Sequence, residues 1–430
     1  WVGEAFGKKW GFLAIWLQWI ESTIWFPTVL TFAAVSLAFM GPGQRWDEAL
    51  AANKWYVLIV VLCVYWAATL LNLRGMKTSA GVTKWGTIIG TIIPGAILIL
   101  LGLGYWAGGN PILLDMSWDK LVPDMSNFNN LVLAASIFLF YAGMEMSAVH
   151  VKDVNNPGRN YPLAILISAI ITVLIFVLGT LAIGFIIPNS QINLVQSLLI
   201  TYDSYFSFFG LGWMNWILAL ALAVGVLAQV TAWVGGPSKG LYQVGLAGNL
   251  PPVMQKRNKN NVQMGILLIQ GGIVTLLSIM FVIMPSVQSA YQIISQLTII
   301  LYLIMYMLMF ASGIYLRYRE PNTPRTFRIP GGRTFGMWVV GGLGLLASLA
   351  AFLVSFIPPN QITVGSSTMY VLLLVVGTFI FAGIPFIIHA MAKPSWKRPV
   401  DPEDAFEPFG WEKNNDSHSA ATPSHSISHE

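Results

Sequence analysis

Apolar runs of about 20 residues, the length that a helix needs to cross a bilayer core of about 30 Å, recur along the whole chain and alternate with short polar stretches. Lipid cannot hydrogen-bond an open backbone, so each run is predicted to be a helix. We predict about ten spans, near residues 11–39, 55–73, 85–107, 130–150, 162–187, 212–234, 263–284, 291–316, 335–357 and 368–391. The fold class is therefore an all-α membrane protein, with one transmembrane domain over residues 1–392.

Composition supports this class and excludes several functions. Hydrophobic residues make up 56% of the chain and charged residues 10%, against about a quarter charged in soluble proteins. The lone cysteine, Cys63, allows no intrachain disulfide, and its apolar surroundings predict a buried position. The histidines lack metal-ligand spacing, so no metal or other cofactor is expected. Basic residues form no concentrated patch, so nucleic acid is not an expected partner, whereas the lipid bilayer is.

The distribution of lysine and arginine predicts the orientation in the membrane. Alternate connections carry nearly all of these residues, and the opposite connections hold only Arg45, Lys54 and Lys120. The positive-inside rule then places the basic connections, and both ends of this chain, in the cytoplasm. Residues 393–430 are rich in Pro, Ser, His and acidic residues, which predicts a flexible cytoplasmic tail.

Three local patterns give further structural predictions. The outer connection SQINLVQSLLITYDSYFSF mixes apolar and polar residues and is predicted to form a short helix at the membrane interface, as is PILLDMSWDKLVPDMSNFNN. Gly86 and Gly90 indicate a close approach between helices. Gly235, Gly236 and Pro237 are predicted to end the sixth span and turn the chain into a basic loop.

Glu145, in IFLFYAGMEMSAVHV, is the strongest candidate for a functional residue. An ionisable group at membrane depth costs about 2.5 to 3.5 kcal/mol on insertion scales, so it usually faces a cavity or a partner. Gly143 would interrupt the helix two residues earlier, and broken helices expose backbone groups that bind the carboxylate and ammonium of amino acids. Glu145 could also be the residue that couples transport to protons. The alternative is a neutral Glu145 that hydrogen-bonds to neighbouring helices.

Other polar or aromatic residues in the spans allow two interpretations each. Glu21 precedes Pro27 in its span; a structural hydrogen bond around the proline explains it adequately, and a role in transport is the alternative. Tyr302 and Tyr306 share one helix face and could form a gate or bind substrate, or simply pack. Gln229, the deepest polar group of the sixth span, could face a substrate path or bond to a neighbouring helix.

Four sequence blocks carry a resemblance to a known family: YAGMEMSAVHVKDVNNPGRNYPLAI, GVLAQVTAWVGGPSKG, RTFRIPGG and VSFIPP. With these blocks in order and at similar spacing, the chain resembles the glutamate/GABA antiporter family of the amino acid/polyamine/organocation superfamily. The resemblance covers most of residues 1–392.

The resemblance implies a twelve-helix, leucine-transporter-like fold, made of two inverted five-helix repeats and two further helices. The segment WVGEAFGKKWGF looks like the end of the family's second helix, so the ten spans here would be the third to the twelfth. The span near 130–150 would then be the family's broken sixth helix. Glu145, Tyr302 and Tyr306 match the family's pathway-lining glutamate and paired tyrosines, whereas Gln229 stands where the family's pattern has a glutamate.

The sequence therefore predicts a secondary transporter that exchanges amino acids by alternating access across the cytoplasmic membrane, with glutamate/GABA-like antiport as the specific hypothesis. Its substrate-binding residues would be Gly143, Glu145, Tyr302, Tyr306 and Gln229. A proton-coupled permease for another neutral or zwitterionic amino acid is the alternative. A membrane enzyme would need clustered catalytic groups, which the spans do not supply, so no catalytic residue is predicted. A channel would need a continuous polar lining.

Overall fold

The structure is a computed structural model that describes residues 1–41, 43–117, 154–325, 327, 329–331, 334–359 and 364–398, together with positions 130, 132, 134, 137, 142–145 and 148. The α-helices in these ranges are α1 (Val2–Phe6), α2 (Lys8–Ala38), α3 (Gln44–Ala51), α4 (Lys54–Leu73), α5 (Met76–Thr87), α6 (Ile93–Ala107), α7 (Pro157–Ile186), α8 (Ser197–Phe208), α9 (Asn215–Val244), α10 (Met264–Ser278), α11 (Met280–Ile283), α12 (Val287–Arg319), α13 (Phe335–Met337), α14 (Leu343–Val354) and α15 (Ser367–Ala390).

Nine of the predicted spans are confirmed as helices within the described ranges. The helical segments long and apolar enough to cross a membrane are Lys8–Ala38, Lys54–Leu73, Ala80–Ala107, Pro157–Ile186, Gly212–Asn249, Met264–Ile283, Val287–Arg319, Phe335–Val354 and Ser367–Ala390. The predicted fourth span, residues 130–150, lies largely outside the described residues. The chain is thus a multi-pass α-helical membrane protein.

Helix α2 lies at the centre of the bundle and packs against α9, α12 and α4. In its most apolar 18-residue stretch 78% of the residues are buried, against 6% in α7. The polar groups of α2 find partners inside the protein: the Trp19 indole donates to Gln270 Oε1 at 2.7 Å, and Gln270 in turn donates to the Tyr65 hydroxyl at 3.2 Å. The central helix can therefore carry polar side chains that a lipid-facing helix could not.

Glycines bring α9 into contact with the helical segment that contains α5, as predicted for Gly86 and Gly90. A Cβ atom on Gly90 would lie 2.3 Å from the Ala221 carbonyl oxygen and from Gly225, and one on Gly86 would lie 2.3 Å from the Ala228 Cβ. No side chain larger than hydrogen fits at either glycine without a shift of the backbone. Helix α9 packs against α2 as well.

The predicted turn at Gly235, Gly236 and Pro237 is wrong. Helix α9 continues to Val244, with Pro237 inside it. Proline removes one backbone donor, and other donors bond the carbonyls around it: the Ser238 hydroxyl donates to the Val234 oxygen at 2.6 Å, and Gln263 Nε2 donates to the Gly235 oxygen at 3.3 Å. These tertiary and local bonds let the helix continue through a sequence that by itself favours a turn.

Two further predictions have clear outcomes. Cys63 is exposed and not buried, because it lies on the outward side of α4, so the predicted burial is wrong. The short helix predicted within residues 190–208 is confirmed as α8. The start of the predicted tail is docked, since Gln255 Nε2 donates to the Trp396 oxygen at 2.9 Å and Arg398 N donates to the Leu246 oxygen at 3.2 Å. Residues 399–430 and most of the connection before residue 130 lie outside the described residues.

Candidate functional site

The segment 142–145 bends sharply at the depth of the spans. Ala142 and Gly143 form a turn, and Gly143 has a φ of +102°, a backbone conformation that favours glycine. A Cβ atom here would lie 2.8 Å from the ring of Trp233 on α9. Both the backbone and the space therefore require glycine at this position.

Two tyrosines from α12 hold the carboxylate of Glu145. The Tyr302 hydroxyl donates to Oε1, and the Tyr306 hydroxyl donates to Oε2 at 2.8 Å. The Gly143 N–H donates to the Tyr306 oxygen at 3.4 Å, so the turn and the carboxylate are joined through one phenol. The two rings are stacked, with centroids 4.8 Å apart and an angle of 14° between their planes, because residues four apart share a helix face.

These hydrogen bonds, made with the middle of α12, explain how the carboxyl group of Glu145 is tolerated at the depth of the spans. A carboxylate at membrane depth costs about 2.5 to 3.5 kcal/mol on insertion scales. A hydrogen bond to a charged group contributes about 1.5 to 3 kcal/mol, so two tyrosine donors offset a penalty of this size. The remaining lone pairs of the carboxylate can accept further donors, such as those of an ammonium group.

Trp233 closes one side of the turn. Its ring contacts Gly143 and lies 5.6 Å from the ring of Trp25 on α2, measured between centroids. Gln229 lies one helical turn earlier on α9, and its side chain is exposed. The structure thus brings Gly143, Glu145, Tyr302 and Tyr306 together and leaves Gln229 outside this hydrogen-bonded group.

Glu21 is a second acid in the same neighbourhood. Its side chain is 2% exposed, and its carboxyl group interacts electrostatically with the carboxyl group of Glu145 and with the Tyr302 hydroxyl. Its Oε1 has no hydrogen-bond partner, whereas its carboxyl group also makes a hydrogen bond with the backbone of Ser22. The signal that groups Glu21 with Glu145 was present in the sequence, because both are acids placed within predicted spans.

A cavity of about 640 Å³ opens beside Glu145 and Tyr306. Its other walls come mainly from apolar side chains of α7, α12 and α14, among them Ile165, Met309 and Phe310. A largely apolar cavity with a few convergent polar groups is typical of small-molecule sites. In the described part of the chain, no group of three or more His, Cys, Asp or Glu residues is placed to hold a metal ion.

The fold and the site together define the class of protein. A multi-pass helical bundle, with a non-helical turn beside a held carboxylate at membrane depth and a cavity in front of it, is the arrangement of substrate sites in secondary transporters. The chain belongs to the amino acid permease family, whose family model matches residues 1–381. It is accordingly a multi-pass membrane transporter.

Similarity to individual relatives extends over most of the chain. The chain is 38% identical over 387 residues to an uncharacterized transporter of Legionella pneumophila, and the match covers 90% of this chain and 82% of the relative. It is 32% identical over 394 residues to a glutamate/gamma-aminobutyrate antiporter of Lactococcus lactis, covering 91% and 77%. A probable agmatine/putrescine antiporter of the same organism is 23% identical over 335 residues, covering 77% and 69%.

Proposed function

We propose that this protein exchanges small amino acids across the cytoplasmic membrane by alternating access, with both ends of the described chain on the cytoplasmic side, and that glutamate and GABA form the exchanged pair. The observation that carries the proposal is the carboxylate of Glu145, held by Tyr302 and Tyr306 next to the Gly143 turn. The similarity to glutamate/gamma-aminobutyrate antiporters supports the choice of substrates.

In this mechanism the substrate's ammonium group docks on the Glu145 carboxylate, and backbone groups freed at the turn bind its carboxylate. The Tyr302 and Tyr306 phenols keep Glu145 in place while the cavity is empty. Movement of α12 relative to the turn would then open or close the pathway. Few fixed cations are available in the described spans, which favours GABA and glutamate with a protonated side chain, both zwitterions, over glutamate as a net anion.

A proton-coupled permease for another neutral or zwitterionic amino acid is the second candidate. Gln229 stands where the family's pattern has a glutamate, which argues against strict glutamate/GABA specificity and removes a carboxyl group that could carry a proton. One observation favours coupling to protons: Glu21 places a second carboxyl group beside Glu145. Either acid could carry a proton during transport. Both candidates are transporters, and neither assigns a catalytic residue or a cofactor.

The test is counterflow of radiolabelled glutamate into proteoliposomes loaded with GABA, at acidic and at neutral pH. We expect exchange in the wild type, loss in Glu145→Gln, and a rate at least about tenfold lower in Tyr306→Phe, because one hydrogen bond to a charged group is lost. Tyr315→Phe is the matched control, since Tyr315 lies on the same helix and is 44% exposed.

The possible results separate the site from the substrate. Wild-type rates in both Glu145→Gln and Tyr306→Phe would remove the proposed site. Exchange of another amino acid but of neither glutamate nor GABA would keep the transporter and reject the substrate pair. An electrodiffusive current without exchange would indicate a channel.

A further inference from the structure

A second, smaller cavity lies at one end of the bundle, away from Glu145. It has a volume of about 200 Å³ and lies where the end of α2, the helix α3, the helix α8 and the start of α9 meet. Phe39 at this end of α2 is 18 residues beyond Glu21, which corresponds to about 27 Å along a helix axis. The cavity is therefore separate from the site at Glu145.

Asp47 is the buried acid of this cavity. It lies in the first turn of α3, its side chain is 5% exposed, and its carboxyl group bonds to the backbone of Gly43. That bond accounts for one oxygen. The other oxygen, Oδ1, is buried and has no hydrogen-bond partner. A buried, unpartnered carboxylate oxygen is costly unless a donor reaches it.

Asp203 on α8 supplies a second carboxyl group to the same cavity. Its Oδ1 accepts a hydrogen bond from Asn215 Nδ2 at the start of α9. Asp47 interacts electrostatically with Asp203, and both interact with Glu48. The described residues that line the cavity include no Lys, Arg or His, and Arg45 lies on the exposed side of α3.

Burial raises the pKa of the Asp47 carboxyl group above its ordinary value, and the neighbouring Asp203 and Glu48 raise it further. Burial also raises the pKa of Asp203, with Glu48 adding to the rise and the hydrogen bond from Asn215 opposing it. The cavity thus concentrates negative charge, and the described residues of its lining contain no positively charged side chain. A positively charged group from solution would provide the missing counter-charge.

Aromatic side chains point to the chemistry of that group. Phe39, Tyr202 and Trp216 line the cavity beside the two acids. Carboxylates together with aromatic faces are the groups that bind organic ammonium ions, through charge-assisted hydrogen bonds and cation–π attraction. A divalent metal is less suited, because no group of three acidic, His or Cys ligands is assembled among the described residues.

We propose that this cavity is a binding site for the ammonium group of a small primary amine, with Asp47 and Asp203 as its acceptors. Its lining residues come from connections that the charge distribution places opposite the basic side of the bundle. The site would bind an amine independently of Glu145, so it does not rest on the exchange proposed above.

The test is binding of n-propylammonium to the purified protein at pH 7.5, measured by isothermal titration calorimetry. The measurement uses Glu145→Gln protein, so that only the second cavity contributes. We expect binding to persist in Glu145→Gln, and its affinity to fall at least tenfold when Asp47→Asn and Asp203→Asn are added. Glu320→Gln is the control, because Glu320 lies at the end of α12 and lines neither cavity.

Further results would support or overturn the site. The affinity for propylammonium should fall between pH 7.5 and pH 5, because protonation removes the charge of carboxyl groups whose pKa is raised. The titratable groups that face Asp47 are Asp203 and Glu48. Absence of propylammonium binding, equal affinity in the Asp47→Asn/Asp203→Asn protein, or full displacement by equimolar Na⁺ would each overturn the proposal. Melting temperatures of all variants show whether a loss of binding reflects unfolding. If Glu145→Gln does not fold, the test uses protein with Glu145 intact. Propylammonium should then show two binding events, and Asp47→Asn with Asp203→Asn should remove one of them.

Discussion

Glu145 and Asp47 are acids in two regions of the same bundle, and their surroundings differ in one decisive way. Both oxygens of Glu145 accept hydrogen bonds from tyrosine hydroxyls on α12. The Asp47 carboxyl group makes a hydrogen bond with the Gly43 backbone, but its buried Oδ1 has no partner. The protein itself supplies donors to both oxygens of the first acid, whereas one oxygen of the second has no donor among the described residues.

The comparison shows that the position of an acid relative to the membrane does not by itself reveal its role. Glu145 lies at span depth but is hydrogen-bonded, while Asp47 lies in a short connecting helix but is left partly unsatisfied. Glu21 is intermediate, because it lies within a span near Glu145 and yet its Oε1 has no partner. Three predictions test these differences, from the largest expected effect to the smallest.

Gly143→Ala should have the largest effect, because it breaks the turn that brings Glu145 to the tyrosines. A non-glycine residue in a left-handed conformation costs roughly 1 to 2 kcal/mol, and the new Cβ would also meet the Trp233 ring at 2.8 Å. We expect loss of exchange and a lower melting temperature. Gly272→Ala is the control: it lies in α10 with no atom near its Cβ position, and alanine there should stabilise the helix by up to about 1 kcal/mol. Equal melting temperatures for both variants would contradict the required turn.

The same substitution at Glu145 and at Glu21 should have different effects on stability. Glu145→Met leaves the Tyr302 and Tyr306 hydroxyls without their acceptor, which we expect to destabilise the protein by about 1 to 3 kcal/mol. Glu21→Met removes a buried unpartnered oxygen and a repulsive neighbour of Glu145, so it should raise the melting temperature or leave it unchanged. Thermal unfolding in detergent measures both, and a marked destabilisation by Glu21→Met would show that the hydrogen bond with the Ser22 backbone outweighs the cost of the unpartnered oxygen.

Asp47→Asn should have the smallest effect, and its effect should depend on pH. Because the folded protein raises the pKa of Asp47, the wild type becomes more stable as the pH falls from the raised pKa towards the ordinary value of 3.8. We therefore expect Asp47→Asn to raise the melting temperature by a few degrees at most at pH 7.5 and by less at pH 5. A larger gain at pH 5 than at pH 7.5 would contradict the assigned environment of Asp47.

The spans were predictable from the sequence for a simple physical reason. A helix in lipid must be about 20 apolar residues long, so length and hydropathy alone identify it, and nine predicted spans are confirmed. The predicted turn at Gly235–Pro237 failed because Ser238 and Gln263 bond the nearby carbonyls, and Gln263 lies outside the local window that the prediction used. The burial of Cys63 failed because an apolar run does not show which of its faces meets lipid.

What the sequence by itself determined is thus the multi-pass helical class, the family resemblance and the short set of polar groups at membrane depth. Only the tertiary structure decided how those groups are paired. Tyr302 meets Glu145 across 157 positions of sequence, and Asp47 meets Asp203 from a different connection. Hydropathy is a sum over neighbouring residues, whereas a hydrogen bond depends on the distance between two atoms, and that distance is set by how the helices pack.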